Sequence, residues 1–120
     1  MTEIWKPIES YENYEVSNQG KVRNVKTGLI LKPNGVNEGY LHLCLHSGGL
    51  RRRFRVHHLV AQAFVENVPT PELRDAVLHL DKVLTNNHAE NLKWVPKWIL
   101  NLWMLPEIRR NGLPQGVYRV

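Results

Sequence analysis

Cysteine is nearly absent from this sequence of 120 residues, in which Cys44 is the only example. A single cysteine excludes an internal disulfide and any zinc site built on several thiolates, and it suits a reducing cytoplasm. Long apolar runs are also missing, since none approaches the ~20 residues of a membrane-spanning helix. Residues 1–7 lack the basic and then apolar order of a secretion signal. We therefore expect a cytoplasmic protein of one domain, or one domain with an appended module, and no membrane partner.

Acidic residues are also in the minority, with 11 Asp and Glu against 16 Lys and Arg, so the formal net charge is +5. The sequence pI is about 9.6. A basic balance in a small protein favours polyanionic partners, nucleic acid first.

The basic residues of the first half are predicted to lie on strands that contact DNA phosphates or guanine edges. The alternative is a strand edge that charge protects from pairing with other chains. The candidate DNA-binding residues are Lys21, Arg23, Lys26, Arg51, Arg52, Arg53 and Arg55.

Residues 14–56 predict a β-rich meander. Short segments of alternating apolar and polar residues are separated by glycine turns, with strands expected near residues 21–25, 29–31, 40–46 and 51–56. The turn Ser47-Gly48-Gly49 predicts a β-hairpin between the last two. We expect the strand that carries Lys21 and Arg23 to lie beside the arginine-rich strand.

The hydrophobic period changes after residue 56. Apolar residues then recur three and four apart, which predicts a short helix over residues 57–65. Two short apolar strands, residues 76–80 and 92–95, flank a polar connection, and Pro96 is suited to begin a helix that reaches residue 104 or 105. The predicted class is α+β: a β-rich N-terminal meander, a helix and a compact ββα unit.

The polar connection of the ββα unit contains the residues best suited to chemistry. His79 stands near a strand end and Asn91 follows twelve residues later. A neutral imidazole can deprotonate water in phosphodiester hydrolysis, and a loop asparagine can orient that imidazole by hydrogen bonding. A hard cation such as Mg²⁺ or Mn²⁺ would take oxygen ligands from carboxylate or amide groups.

Three blocks of the sequence resemble, in order, the HNH homing-type endonucleases of phages and introns. Residues 4–23 resemble the nuclease-associated modular (NUMOD-type) domain, residues 56–64 the linking helix, and residues 77–95 the ββα (His-Me finger) core. The resemblance implies a DNA-binding module over residues 1–56, and a linking helix with the HNH core over residues 57–105. Residues 106–120 would be a tail: either the truncated start of a further module or a strand that pairs with the β-rich half.

The same resemblance implies the roles of individual residues. His79 matches the general base and Asn91 the asparagine that supports it, while Asn86 and Asn87 belong to the loop motif. One Mg²⁺ or Mn²⁺ ion would be the cofactor. The substrate would be double-stranded DNA, nicked or cut on both strands. A phage-encoded protein of this type would act in the host cytoplasm.

Two departures from the family pattern predict an incomplete metal site. The residue before the base, often an Asp or Asn ligand in the family, is Leu78, and the ligand position on the last helix coincides with Leu100. Asn101 lies one step further, which turns a side chain by about 100° around a helix. We expect Asp81 and Asn101 as the candidate ligands.

The last helix favours an alternative function. Residues 97–105 are apolar nearly all round, so we expect the tail or another chain to cover them. Trp and Met are common contact residues at interfaces. The alternative is a catalytically inactive HNH descendant, a phage-encoded binding or inhibitor protein. It would contact a host protein or a second copy through Trp98, Leu102, Trp103 and Met104.

Overall fold

The computed structural model describes residues 2–65 and 76–105. Its elements, in chain order, are β1 (Trp5–Ile8), β2 (Tyr11–Ser17), β3 (Val22–Asn24), β4 (Gly35–Asn37), β5 (Tyr40–Ser47), β6 (Leu50–Arg55), α1 (Val56–Phe64), β7 (Ala76–His79), a 3-10 turn (Ala89–Asn91), β8 (Leu92–Val95) and α2 (Lys97–Trp103). The strands form three antiparallel sheets, ordered β1-β2-β3, β4-β5-β6 and β7-β8. The predictions made for residues 106–120 lie outside the described residues.

The first sheet is organised around β2. Tyr14 and Val16 alternate inward and are buried, while Glu15 pairs with Arg23 of β3. The strand predicted at residues 29–31 is wrong in extent, because this segment makes only an isolated bridge between Ile30 and Arg23. Ile30 is exposed, so burial does not favour a longer strand there.

The second sheet contains the predicted hairpin. Gly48 and Gly49 connect β5 to β6, and both have positive φ angles, 57° and 81°. A two-residue turn of this kind matches the natural twist of paired strands and favours glycine. Leu43 and Leu45 of β5 point into the core.

Helix α1 joins the sheets into one core. Its buried face, which includes Leu59 and Val60, packs with residues of β2, β5, β7 and β8 in the main hydrophobic cluster. The N-terminal module and the ββα core therefore share their interior. Helix α1 begins at Val56, directly after the last residue of β6.

A second junction fixes the first sheet to the polar connection. The amide of Ala89 donates to the carbonyl of Asn18 over 2.8 Å. Gly20 lies against Asn87 with φ +86°, and a Cβ at Gly20 would come within 3.0 Å of the Asn87 backbone oxygen. Glycine is therefore required here both for its backbone conformation and for the close approach.

Helix α2 is covered on one side only within the described chain. Ile99, Leu100 and Trp103 pack on a second, smaller cluster formed by strands β7 and β8. Trp98 and Leu102 are 63% and 56% exposed. The helices of residues 2–65 and 76–105 are all too short or too polar to cross a bilayer.

Candidate active site and DNA-binding surface

The side chain of His79 is sealed inside the protein. His79 is the last residue of β7, and it is 1% exposed. Its Nε2 lies 2.8 Å from Oδ1 of Asn87. An amide oxygen can only accept a hydrogen bond, so Nε2 carries the ring proton and donates it. The lone pair is therefore on Nδ1, which is buried and without a hydrogen-bond partner among the described residues.

Aromatic rings surround this imidazole. The His57 ring of α1 contacts both Tyr40 and His79, with centroid distances of 4.7 Å and 5.0 Å. Tyr40 itself is 5.8 Å from His79. His57 is also buried, so the pair of imidazoles is enclosed between β5, α1 and β7.

The environment keeps these imidazoles neutral. Burial lowers the pKa of His79, although the hydrogen bond to Asn87 and the charge of Asp81 oppose that effect. Burial, reinforced by His58, His79 and Arg55, lowers the pKa of His57 to about 2. A neutral imidazole with a free lone pair has the protonation state of a general base. The burial of the His79 side chain, however, keeps solvent and phosphate away from the ring.

Asn91 and Asp81 organise the polar loop. The Asn91 amide nitrogen donates to Asp81 Oδ1 over 2.9 Å and to the Asn86 carbonyl over 2.8 Å. The Asp81 amide donates back to Asn91 Oδ1 over 3.1 Å. Asn86 donates to the other Asp81 oxygen, and this bond is the main cause of a lowered Asp81 pKa.

In the structure, Asn87 contacts the His79 ring and Asn91 stabilises the loop, so two asparagines share the role expected of one. The sequence predicts that Asn91 supports His79, but its side chain braces the loop, and the direct contact with the ring belongs to Asn87. The sequence places Asn87 in the loop motif and carries no signal that it meets the imidazole.

The residue after Asp81 has an unusual backbone conformation. The φ of Lys82 is +62°. The backbone therefore adopts the left-handed conformation that glycine favours. The Lys82 ammonium lies 5.0 Å from the centre of the Trp103 ring, a cation–π contact.

The predicted metal ligands do not form a site that fits a hard cation. Both Asp81 oxygens already accept hydrogen bonds within the loop. Leu78 is buried, Leu100 packs against the same small cluster, and Asn101 is exposed on α2. In residues 2–65 and 76–105, no three His, Cys, Asp or Glu side chains are placed to hold a metal ion. Mg²⁺ is usually held by one or two protein oxygen ligands together with phosphate and water, and the aliphatic side chains at the two family ligand positions supply no oxygen.

The arginine-rich strand presents a basic face, defined here as Arg51, Arg53, His46 and Cys44. In the register of the hairpin, Arg51 pairs with His46 and Arg53 with Cys44, so these four side chains share one side of the sheet. Arg51 and His46 also line an open cleft of about 370 Å³ with Lys32.

The other two arginines of this strand make contacts within the protein. Arg52 pairs with the buried Leu45 on the opposite side of the sheet and lies 5.8 Å from the Phe54 ring. Arg55 pairs with His42 on the same side as the basic face, but it forms an ion pair with Glu38 over 3.1 Å.

The predicted proximity of β3 to the arginine-rich strand is wrong. Strand β3 pairs with β2, whereas β6 pairs with β5 in the other sheet. Arg23 of β3 binds Glu15 over 2.8 Å and stacks over Trp5 at 4.1 Å. Lys21 and Lys26 are exposed on either side of β3.

The predicted interaction helix also requires one correction. Trp103 is turned inward, and its Nε1 donates to the His79 carbonyl over 3.0 Å. Trp98, Leu102 and Met104 remain exposed.

A hairpin that ends its first strand in a histidine, followed by a polar loop, a second strand and a helix, defines a ββα core of the HNH class. Comparison with known proteins supports the same class. Residues 3–46 match the NUMOD4 motif. The chain is 40% identical over 96 residues to DNA endonuclease I-HmuI of Bacillus phage SP01, covering 79% of this chain and 53% of that protein.

An uncharacterized HNH endonuclease of Acanthamoeba polyphaga mimivirus is 39% identical over 94 residues, covering 78% of this chain and 27% of the relative. A solved structure that concerns DNA binding and cleavage by the HNH homing endonuclease I-HmuI matches with a TM-score of 0.73. That match has 33% identity and covers 93% of this chain and 66% of the other. The chain belongs to the HNH homing-type endonucleases that carry a NUMOD region, which confirms the predicted family and α+β class. It spans between a quarter and about half of the curated relatives it matches.

Lowering the pH below 6.5 should destabilise the protein. The unfolded chain then binds a proton at His57, while the folded chain, in which the pKa of His57 is about 2, does not. This stabilisation is complete above pH 6.5 and is lost as the pH falls towards 2. One histidine contributes a slope of at most about 1.4 kcal/mol per pH unit. Urea denaturation at several pH values should show a shallower slope for His57→Phe.

Tyr40→Phe is the matched control, since it keeps the stacked ring and every histidine, and it should retain the wild-type slope. Equal slopes for His57→Phe and wild type would contradict the neutral, buried state of His57.

Proposed function

We propose that this chain is an HNH-endonuclease-like protein that binds duplex DNA through the basic face of the β5–β6 hairpin. The observation that carries the proposal is the alternation of Arg51 and Arg53 on one side of β6, opposite His46 and Cys44. The arginines are exposed, and the hairpin is held in place by a buried inner side. Two relatives are named as endonucleases, and the matching solved structure concerns DNA binding and cleavage, which supports the same partner.

The dimensions of the hairpin suit a duplex. Alternate residues of a strand lie about 6.8 Å apart, which is close to the rise of two base pairs at about 3.4 Å each. A two-stranded ribbon also fits within a major groove about 12 Å wide. Arg51 and Arg53 would thus reach different phosphates of the duplex, and Lys32 in the neighbouring cleft would extend the contact.

Phosphodiester hydrolysis is the second candidate function, with His79 as the general base and Mg²⁺ or Mn²⁺ as the cofactor. It is favoured by the His79–Asn87 hydrogen bond, which leaves Nδ1 as the proton acceptor. The sealed ring and the leucines at the two family ligand positions favour binding over cleavage. Our proposal therefore gives priority to DNA binding, in the cytoplasm of the host if the chain is phage-encoded.

A protein partner would find its best surface on α2. Trp98 and Leu102 are four residues apart on one face of this helix and are exposed, and Met104, which follows the helix, is exposed as well. A second copy or a host protein that covered them would bury apolar area without disturbing Trp103.

Replacing Arg51 and Arg53 with Ala should weaken duplex binding by about tenfold or more and lower the slope of log affinity against log salt by about two. Each arginine lost removes one phosphate contact and its released counterion. Fluorescence anisotropy with a labelled duplex, repeated over a range of salt concentrations, measures both quantities.

The matched control is Arg52→Ala, which removes the same charge from the opposite side of the strand. Equal losses for Arg52→Ala and for each of the single variants Arg51→Ala and Arg53→Ala would contradict the assignment of a face and leave only a general charge effect. Cys44 offers a check on the native chain, because saturating DNA should slow its alkylation. An unchanged alkylation rate would place the DNA elsewhere.

Wild-type protein should leave supercoiled plasmid uncut in Mg²⁺ or Mn²⁺ while still binding it, because the His79 lone pair has no access to phosphate. Gel electrophoresis after incubation measures the nicked fraction. Metal-dependent nicking that disappears in His79→Ala would contradict this expectation and make hydrolysis the function.

A further inference from the structure

We infer that this chain has replaced the metal centre of its family with an apolar clamp that fixes α2 onto β7. The clamp consists of Leu78, Leu100 and Trp103. The inference concerns the ββα core and is independent of whether the hairpin binds DNA.

The two sides of β7 serve different purposes. Val77 belongs to the main core, and His79, on the same side, faces His57 of α1. Ala76 and Leu78 point to the other side, where they form the smaller cluster with Val95. Leu78, which stands at a family ligand position, is 4% exposed, so its side chain lies within packed apolar groups.

Helix α2 covers this smaller cluster. Ile99, Leu100 and Trp103 recur at the three- and four-residue spacing of one helix face and pack on Ala76, Leu78 and Val95. The second family ligand position, Leu100, thus lies in the same apolar cluster as the first. The resemblance implies that these two positions would hold a metal ion, whereas here both carry leucine side chains that pack in the same apolar cluster.

Trp103 extends the clamp to the backbone of the histidine. Its indole Nε1 donates to the His79 carbonyl over 3.0 Å, and its ring receives the Lys82 ammonium at 5.0 Å. The end of α2 is thereby tied to the end of β7 and to the first residues of the loop. An ion between them would have to displace packed carbon atoms that offer no oxygen ligand.

The first test is the binding of Mn²⁺ to the intact wild-type chain, measured by the electron paramagnetic resonance signal of free Mn²⁺. The clamp predicts that the protein leaves this signal unchanged and that Mn²⁺ does not raise the melting temperature. Binding of one ion per chain that Asp81→Asn or His79→Ala removes would overturn the inference.

The second test compares two tryptophans of the same helix. Trp103→Phe keeps an aromatic ring but removes the indole donor to the His79 carbonyl, which then accepts from the Lys82 amide alone, so the melting temperature should fall by about 4 °C. Trp98→Phe makes the same change at a position that is 63% exposed and should melt as wild type does. Equal melting temperatures for the two variants would show that Trp103 does not fasten the helix, and the clamp would be rejected.

Discussion

The burial of a neutral His79 imidazole is the constraint on which the rest of the structure depends. One hydrogen bond, from Nε2 to Asn87, fixes the ring proton, while Nδ1 has no hydrogen-bond partner among the described residues. The position of Asn87 depends in turn on the first sheet, because only a glycine at residue 20 permits the close approach of the loop. The ring contact comes from His57 of α1, so elements far apart in sequence converge on one side chain.

This convergence explains why, in the described part of the chain, the N-terminal half and the ββα core share one main hydrophobic cluster. Strand β7 turns His79 towards the rings of the N-terminal half and turns Leu78 towards α2. The basic hairpin is rigid because its inner side, including Leu43 and Leu45, belongs to the same core. Rigid support lowers the entropy cost of placing arginines on a duplex, whereas the closed surroundings of His79 oppose catalysis. The support of the hairpin and the burial of His79 arise from the same hydrophobic packing.

The sequence predicted the elements better than it predicted their contacts. Three elements have a local signal in the sequence, and the structure contains all three. They are the hairpin with its glycine pair, helix α1 with its apolar spacing, and the ββα unit with its polar connection. The sequence contains no local signal for the hydrogen-bond partner of His79. Asn87 and Asn91 lie in one polar loop, and their spacing does not reveal which amide contacts the ring. In α2, Trp98 and Trp103 could not be assigned to faces, since an apolar helix lacks periodicity. The separation of β3 from β6 depends on the order of strands within sheets, which local alternation does not encode.

The most direct test of this account is a nitrogen-15 NMR titration of the His79 ring. The account predicts the Nε2-protonated tautomer for the neutral ring and a pKa below that of an exposed histidine, because burial lowers it. The Nε2 proton should also exchange slowly with water. A His79 ring that titrates near 6.5, or that carries its proton on Nδ1, would contradict the sealed hydrogen bond and the functional conclusions drawn from it.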